Sequence, residues 1–119
     1  MNFMKPKTGW MMKDKLLSYL GLCLKAGKLA TGDEGALKAV RSGQARLVLL
    51  AEDASENAKK KYRDKCGFYR IPLVEVLSRA ELGSSLGKKD RVVVAVLDTG
   101  FADLILKSLN RSSEVDKID

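Results

Sequence analysis

The sequence predicts an α/β protein, a three-layer α/β/α sandwich with a mixed sheet of about four strands and about five helices. Short apolar segments typical of strands alternate along the chain with amphipathic segments typical of helices. Helices that lie between strands need crossover connections, which place them on the faces of the sheet. The apolar run from Ala45 to Asp53 lacks the alternation of a half-exposed strand, as expected for a central strand covered on both faces.

The first half of the chain predicts two helices around a short strand. Residues 13–26 form the first helix, because apolar residues recur there at one-turn spacing, namely Leu16, Leu17, Leu20, Cys23 and Leu24. A short strand over residues 28–30 leads into a second helix over residues 32–42. Thr31 and Glu34 have the spacing of a capping box at the start of that helix.

A third helix follows the central strand, with Asp53 or Ser55 as its cap. Its apolar stripe repeats every four residues and consists of Ala54, Ala58, Tyr62 and Cys66. Basic residues fall outside that stripe, at Lys59, Lys60, Lys61, Arg63 and Lys65. They form either a nucleic-acid patch or the solvated back of an amphipathic helix, and we favour the second interpretation.

The remaining elements are two strands and two helices. Residues 71–76 and 92–97 are apolar and predict strands, with Pro72 near the start of the first, where a missing N–H is tolerated. Between them, Ser78 and Glu81 form a capping box for a short helix. Asp98 or Thr99 caps the last helix, whose inward-facing residues are Phe101, Leu104, Ile105 and Leu109. We expect a flexible segment over residues 1–12, one domain over residues 13–109 and a frayed tail over residues 110–119.

The charge and the absent residue types narrow the function. With 22 Lys and Arg against 15 Asp and Glu, the 119-residue chain carries a formal charge of +7, which favours polyanionic partners. The chain has no histidine, which removes the commonest general base and metal ligand, so we predict that it is not an enzyme. We expect no cofactor.

The cysteines and the hydropathy pattern predict the compartment. Cys23 and Cys66 form no C-x-x-C motif, so we expect two reduced, buried thiols rather than a zinc site or a disulfide. No apolar run approaches the ~18 residues that a membrane span needs, and residues 1–12 lack the apolar core of a signal peptide. We therefore expect a cytoplasmic protein without a membrane partner.

The segment from Gly32 to Gly43 carries the strongest functional signal. A glycine at a helix start exposes backbone N–H groups at the positive end of the helix dipole. Lys38 and Arg41 follow on the same helix, about one turn apart. Such a surface suits an anion, and the alternative interpretation is a chance spacing in a capped helix that binds no ligand.

Five segments of the chain resemble a known family. They are residues 24–28, 32–43, 47–54, 82–87 and 91–96, in the family's order within residues 13–109. Together they resemble the bacterial YlxQ branch of the L7Ae and L30e ribosomal protein superfamily, whose members bind kink-turn RNA. The resemblance implies the same three-layer fold with a mixed sheet.

The resemblance also implies a binding site. In the superfamily, a Gly-x-Asn-Glu-x-x-Lys stretch reads the tandem sheared G·A pairs of the kink-turn in the major groove. Gly32 and Lys38 match this pattern, so Lys38 is expected to donate to guanine O6 or N7. Glu34 and Gly35 stand at the Asn and Glu positions. Glu34 keeps an acceptor for a guanine N–H, a role that Asp33 is placed to share.

The loop over residues 87–92 corresponds to the family's second contact region. Lys88, Lys89 and Arg91 offer phosphate contacts there, and Val92 offers an apolar one. The alternative interpretation is a charged turn between two elements. The complete predicted RNA-binding set is Lys28, Gly32, Asp33, Glu34, Gly35, Lys38, Arg41, Lys88, Lys89, Arg91 and Val92.

Two functions remain open at this stage. The first is a ribosome-associated RNA-binding protein, monomeric, that recognises ribosomal or other kink-turn RNA through the start of the second helix and the 87–92 loop. The second is a protein-interaction module on the same fold that has lost specific RNA reading. Lys38 and the basic loop favour the first, whereas Glu34 and Gly35 favour the second.

Overall fold

Five strands and five helices alternate along the part of the chain that the structure describes. The computed structural model describes the backbone of residues 3–4 and 10–118, and the side chains of residues 13–109. In chain order, the elements in that part are β1 (Phe3–Met4), α1 (Trp10–Lys25), β2 (Leu29–Thr31), α2 (Gly32–Arg41), β3 (Leu47–Leu50), α3 (Glu56–Tyr69), β4 (Leu73–Glu75), α4 (Arg79–Ser85), β5 (Val93–Val96) and α5 (Thr99–Ile118).

The strands form one mixed sheet in the order β1-β4-β3-β5-β2. β1, β4 and β3 are parallel, whereas β5 is antiparallel to both of its neighbours, β3 and β2. α2 and α3 pack together on one face of the sheet, and α1 packs with α4 and α5 on the other. The predicted three-layer sandwich with a mixed sheet is confirmed.

The predicted order of elements is confirmed, and their bounds differ by a few residues. The four predicted strands are present, and β1 is a further strand that lies in the expected N-terminal flexible segment. α1 begins at Trp10 instead of residue 13, and the backbone of α5 stays helical to Ile118, through most of the expected frayed tail. The other residues of both terminal segments lie outside the described residues. Among the described helices, none combines the length and apolar composition needed to cross a bilayer.

The two central strands are buried on both faces, as predicted. All four residues of β3 and all four residues of β5 are buried, so the sheet centre contains almost purely aliphatic side chains. Burying each leucine or valine side chain of these strands contributes about 1.5–3 kcal/mol. The helices cover these strands with Leu16, Leu20, Ala36, Val40, Tyr62, Leu82, Ala102, Ile105 and Leu109.

Both cysteines are free and buried in this core, as the sequence predicts. The pKa of the Cys23 thiol is raised to about 11, mainly by burial and to a lesser extent by the charge of Asp98. Burial alone raises the pKa of the Cys66 thiol to about 12. The Cys23 Sγ also donates to the carbonyl oxygen of Lys28 over 3.1 Å.

Helix starts agree with the sequence at three positions. Ser55 caps α3 by accepting from the backbone N–H of Ala58, and Ser78 and Glu81 form the predicted capping box of α4. The Asp98 carboxylate accepts from the backbone N–H of Phe101 at the start of α5.

The predicted capping box at Thr31 is wrong. Thr31 is the last residue of β2, pairs with Val94, and makes no side-chain capping hydrogen bond. The chain enters α2 through Gly32, whose φ of +83° lies in the left-handed region that favours glycine. The backbone therefore turns at Gly32 and not at the residue whose hydroxyl was expected to cap the helix.

Two leucines predicted to face inward are exposed. Leu24 is 36% exposed and Leu104 is 42% exposed. In α1 the buried stripe runs through Leu16, Leu20 and Cys23, and in α5 it runs through Ala102, Ile105 and Leu109. Each exposed leucine is next to a stripe residue and so points about 100° away from it.

The basic side of α3 is less solvated than predicted. Of its five basic residues only Lys60 is exposed, and the other four are half-buried. Arg63 makes a two-pronged ion pair with Glu75 of β4, with Nε to Oε2 at 2.7 Å and Nη2 to Oε1 at 3.0 Å. Glu75 is 1% exposed, so this pair neutralises a carboxylate inside the core and fixes α3 on the sheet. The Glu75 carboxylate holds the pKa of Arg63 above its usual value.

We expect Arg63→Ala to lower the midpoint of urea unfolding by about 1 M or more, because it removes a main partner of a buried carboxylate. Replacing both members, as Arg63→Met with Glu75→Leu, should recover much of the loss. Lys60→Ala on the same helix is the control and should shift the midpoint little. Equal midpoints for Arg63→Ala and Lys60→Ala would contradict this role.

Candidate nucleic-acid interface

Pairing across β5 brings three segments to one end of the sheet. Thr31 at the end of β2 pairs with Val94, and Leu50 at the end of β3 pairs with Val93. Beyond β3, the backbone N–H of Ala51 donates to the carbonyl oxygen of Val92 over 2.8 Å. The start of α2, the segment after β3 and the loop over residues 87–92 therefore lie side by side. We call this end of the molecule the β5-start end.

The start of α2 presents its most polar residues to solvent. Asp33 and Glu34 are exposed, while Gly32 and Gly35 are half-buried. A side chain at Gly35 would have room, since the nearest atom to its Cβ would be the Ala30 Cβ at 3.8 Å. A glycine at this position is therefore not required by any contact at Cβ.

Asp33 ties the start of α2 to α3. Its Oδ1 accepts from the Tyr62 hydroxyl at 2.6 Å and from the Lys61 ammonium at 2.8 Å. These hydrogen bonds, with that from Lys61 the strongest influence, hold the pKa of Asp33 below its usual value. Burial, together with the Asp33 carboxylate, raises the pKa of Tyr62.

Sequence reasoning missed this contact, because the two segments are 29 residues apart. The available signal was the tyrosine in a buried stripe, whose hydroxyl needs a partner. One oxygen of Asp33 is thus engaged within the protein, and this residue positions the helix start.

The exposed face of α2 carries the predicted cations. A shallow hollow on this face is lined by Asp33, Glu34, Leu37, Lys38, Arg41 and Ser42. Lys38 lies one turn beyond Glu34 on the same face, and both side chains are exposed. At 1.5 Å per residue, Arg41 lies about 13 Å along the helix from Gly32. By the same measure Lys38 lies about 9 Å from Gly32, so the two cations stand less than one turn apart on the later part of this face.

The loop over residues 87–92 is held on both sides. After α4, the N–H of Lys88 donates to the carbonyl of Gly83, and the N–H of Gly87 to that of Ser84, the pattern of a Schellman motif. At its other end the N–H of Arg91 donates to the carbonyl of Arg79. Lys88 and Lys89 are exposed, whereas Arg91 and Val92 are half-buried.

Gly83 fixes the loop against α4. A Cβ built on this residue would lie 1.7 Å from the carbonyl oxygen of Lys89 and 2.5 Å from its carbon. The loop backbone therefore occupies the space that any side chain would take. In this way Gly83 sets how far the basic loop stands from the helix.

Arg79 is a further cation at this end that sequence reasoning did not single out. Its backbone N–H donates to the Asp53 Oδ1 at 2.8 Å, and its Nε lies 3.6 Å from the Asp53 Oδ2. Its side chain is 47% exposed. The signal in the sequence was only its position directly after the cap of α4, beside the loop.

Lys28 lies away from this end. Its carbonyl oxygen accepts from the N–H of Leu97, past the end of β5, so Lys28 stands at the opposite end of β2 from Gly32. Among the described residues, no group of three or more Cys, Asp or Glu is arranged to hold a metal ion.

Comparison with known proteins identifies the family. Residues 14–106 match the model of the Ribosomal protein L7Ae/L30e/S12e/Gadd45 family. The chain belongs to this family. The family's description names ribosomal proteins, in agreement with the prediction that the chain is not an enzyme.

Two bacterial relatives cover most of the domain. The chain is 50% identical over 91 residues to the RNA-binding protein YlxQ of Bacillus subtilis (strain 168), which covers 76% of this chain and 91% of that protein. It is 42% identical over 90 residues to the RNA-binding protein YlxQ of Enterococcus faecium, covering 76% and 86%. The predicted membership in the YlxQ-like branch is confirmed.

A solved structure shares the fold at low identity. The Giardia lamblia 15.5kD RNA binding protein superposes with a TM-score of 0.72 at 19% identity, covering 92% of this chain and 93% of that one. At this identity the likeness concerns the fold alone.

We expect Gly83→Ala to displace the loop and to destabilise the protein by about 1–3 kcal/mol, because the new methyl group meets fixed backbone. Gly21→Ala is the matched control. Gly21 is also helical, but the nearest atom to its Cβ would be 3.9 Å away, so this change should be neutral or stabilising by up to about 1 kcal/mol. Backbone NMR shifts at Lys88 to Arg91 and urea unfolding measure both effects. Unchanged loop shifts in Gly83→Ala would contradict the close approach.

The Asp33 contacts predict a pH dependence. Because folding lowers the pKa of Asp33, the stabilisation is fully present above the ordinary carboxyl pKa of about 4 and is lost as the pH falls through the lower native value. The midpoint of urea unfolding should therefore be higher for the wild type than for Asp33→Asn at pH 7. The difference between the two midpoints should shrink toward pH 2. NMR titration of the Asp33 carboxyl gives the native pKa directly. A native value above 4 would refute the proposed tie.

Proposed function

We propose that the protein binds structured RNA and recognises a kink-turn or a similarly bent helix at the β5-start end. The observation that carries this proposal is the strand register, which sets the start of α2 beside the basic loop over residues 87–92. Family membership and two relatives named RNA-binding proteins support RNA as the partner. The formal charge of +7 supports a polyanion.

Each part of this end has a distinct role in the proposed complex. Lys38 is exposed on α2 and donates to guanine O6 or N7 in the major groove. The loop lysines, Lys88 and Lys89, contact phosphates, as does Arg91, and Val92 packs on a nucleotide. Arg41 extends the cationic face along α2 for a further phosphate. Lys28, at the opposite end of β2, is not included in this contact surface.

The two departures from the family pattern, at Glu34 and Gly35, determine which hydrogen bonds to RNA bases this site offers. Glu34 is an acceptor only, so it pairs with guanine N–H groups but offers no donor to a neighbouring acceptor. Gly35 contributes no side chain, and Asp33 has one oxygen engaged by Tyr62 and Lys61. Shape, phosphate contacts and Lys38 therefore carry a larger share of recognition than in relatives with the complete pattern.

We further propose that the protein acts as a monomer in the cytoplasm, in association with the ribosome and with ribosomal or other kink-turn RNA. The ribosomal-protein family supports this placement. The alternative function, a protein-interaction module without specific RNA recognition, is favoured only by Glu34 and by the lack of a side chain at Gly35.

The deciding experiment compares a labelled kink-turn RNA with a straight duplex of matched length at fixed magnesium. We expect Lys38→Ala to weaken kink-turn binding by about 1–3 kcal/mol and to narrow the preference for the bent RNA, because a guanine contact is lost. Lys60→Ala, an exposed lysine on α3, is the control and should have little effect. Equal losses from both variants would indicate a diffuse basic surface. Equal affinity of the wild type for both RNAs would favour the alternative function.

A further inference from the structure

A pair of exposed aromatic residues lies at the C-terminal end of α3. Phe68 is 79% exposed, the highest value among the large apolar side chains of residues 13–109, and Tyr69 beside it is 40% exposed. Their rings meet edge to face with centroids 5.0 Å apart. The two aromatic residues thus form a defined platform, unlike the single apolar side chains scattered on most surfaces.

Cations surround this platform. One hollow beside it is lined by Lys61, Asp64, Lys65, Phe68 and Tyr69. A second hollow shares Tyr69 and includes Arg46 and Arg70. The two hollows together are lined by four basic residues, Lys61, Lys65, Arg46 and Arg70, and by one acidic residue, Asp64. We call this surface the Phe68 patch.

Apart from Lys61, whose ammonium is engaged by Asp33 at the start of α2, the Phe68 patch is separate from the β5-start end. Arg46 precedes β3 and donates its backbone N–H to the carbonyl of Val96, at the end of β5. The N–H of Val48 donates to the carbonyl of Pro72, which precedes β4. The patch therefore lies beside the opposite end of the sheet, and Lys38 takes no part in it.

We propose that the Phe68 patch is a second RNA-contact site that takes an unpaired nucleotide. The base stacks on the Phe68 ring, and Lys65, Arg46 and Arg70 contact the adjoining phosphates. An aromatic platform within a cationic groove is the arrangement by which proteins bind single strands without base-specific hydrogen bonds. The excess of basic over acidic residues favours RNA over an uncharged protein partner. This inference rests on RNA as the protein's ligand but not on the kink-turn contact at the β5-start end.

The test uses a labelled 12-nucleotide oligouridylate and an abasic oligomer with the same number of phosphates, at low salt. We expect Phe68→Ala to weaken oligouridylate binding by about 5- to 100-fold, the loss of one stacked base, and to change abasic binding less than twofold. Phe68→Trp should retain binding to oligouridylate. Lys65→Ala should weaken the binding of both oligomers, because phosphates are common to them.

Two control variants separate this site from the rest of the molecule. Leu22→Ala removes a side chain that is 54% exposed on α1, across the sheet from α3, and should leave oligouridylate binding unchanged. Lys38→Ala should weaken binding to the kink-turn RNA and leave binding to oligouridylate unchanged. Circular dichroism confirms that each variant is folded.

Three outcomes would overturn the inference. One is that the wild type binds the kink-turn RNA but not oligouridylate, which leaves the proposed function intact. Another is that Phe68→Ala weakens oligouridylate and the abasic oligomer equally. The third is that the RNA-free protein sediments as a dimer and Phe68→Ala as a monomer, which assigns the patch to a second copy of the chain.

Discussion

The antiparallel pairing of β5 with both of its neighbours is the constraint on which the rest of the structure depends. β2 and β3 end where β5 begins, and this arrangement alone puts Gly32 and the loop over residues 87–92 at one end. β5 is buried on both faces, so an inside-outside pattern does not fix its register. Hydrogen bonds at its ends, from the N–H of Ala51 to Val92 and from the N–H of Leu97 to Lys28, continue the observed register beyond the strand.

Much of the fold was predictable because local patterns specify it. The aliphatic run of β3, the buried stripe through Tyr62 and Cys66, and the cap at Ser78 each depend on neighbours within a few residues. β1 was not predictable, since two residues carry no periodicity and gain their partner, β4, only when the sheet forms. The cap at Thr31 was wrong because β2 and the turn at Gly32 override a capping pattern that, by itself, favours a helix start.

The candidate site was predictable only in part. Gly32 and Lys38 stand out in the sequence by their spacing, and the basic loop by its charge. Which of them lie together depends on strand order, which is set by contacts between segments far apart in the chain. The contacts that hold α3 in place, from Asp33 to Tyr62 and from Arg63 to Glu75, could not be predicted either. The members of each pair are too far apart in the sequence to form a pattern.

Folding protects the two buried thiols from reagents in solution. A thiol with a pKa of about 11, as at Cys23, is ionised in only about one molecule in a thousand at pH 8, and the thiolate is the form that attacks electrophiles. Cys66 is still less ionised and is also 1% exposed. Alkylating agents and oxidants in the surrounding solution therefore react with the thiols when the chain opens. The rate at which these sulfur atoms are modified thus measures how often the core opens.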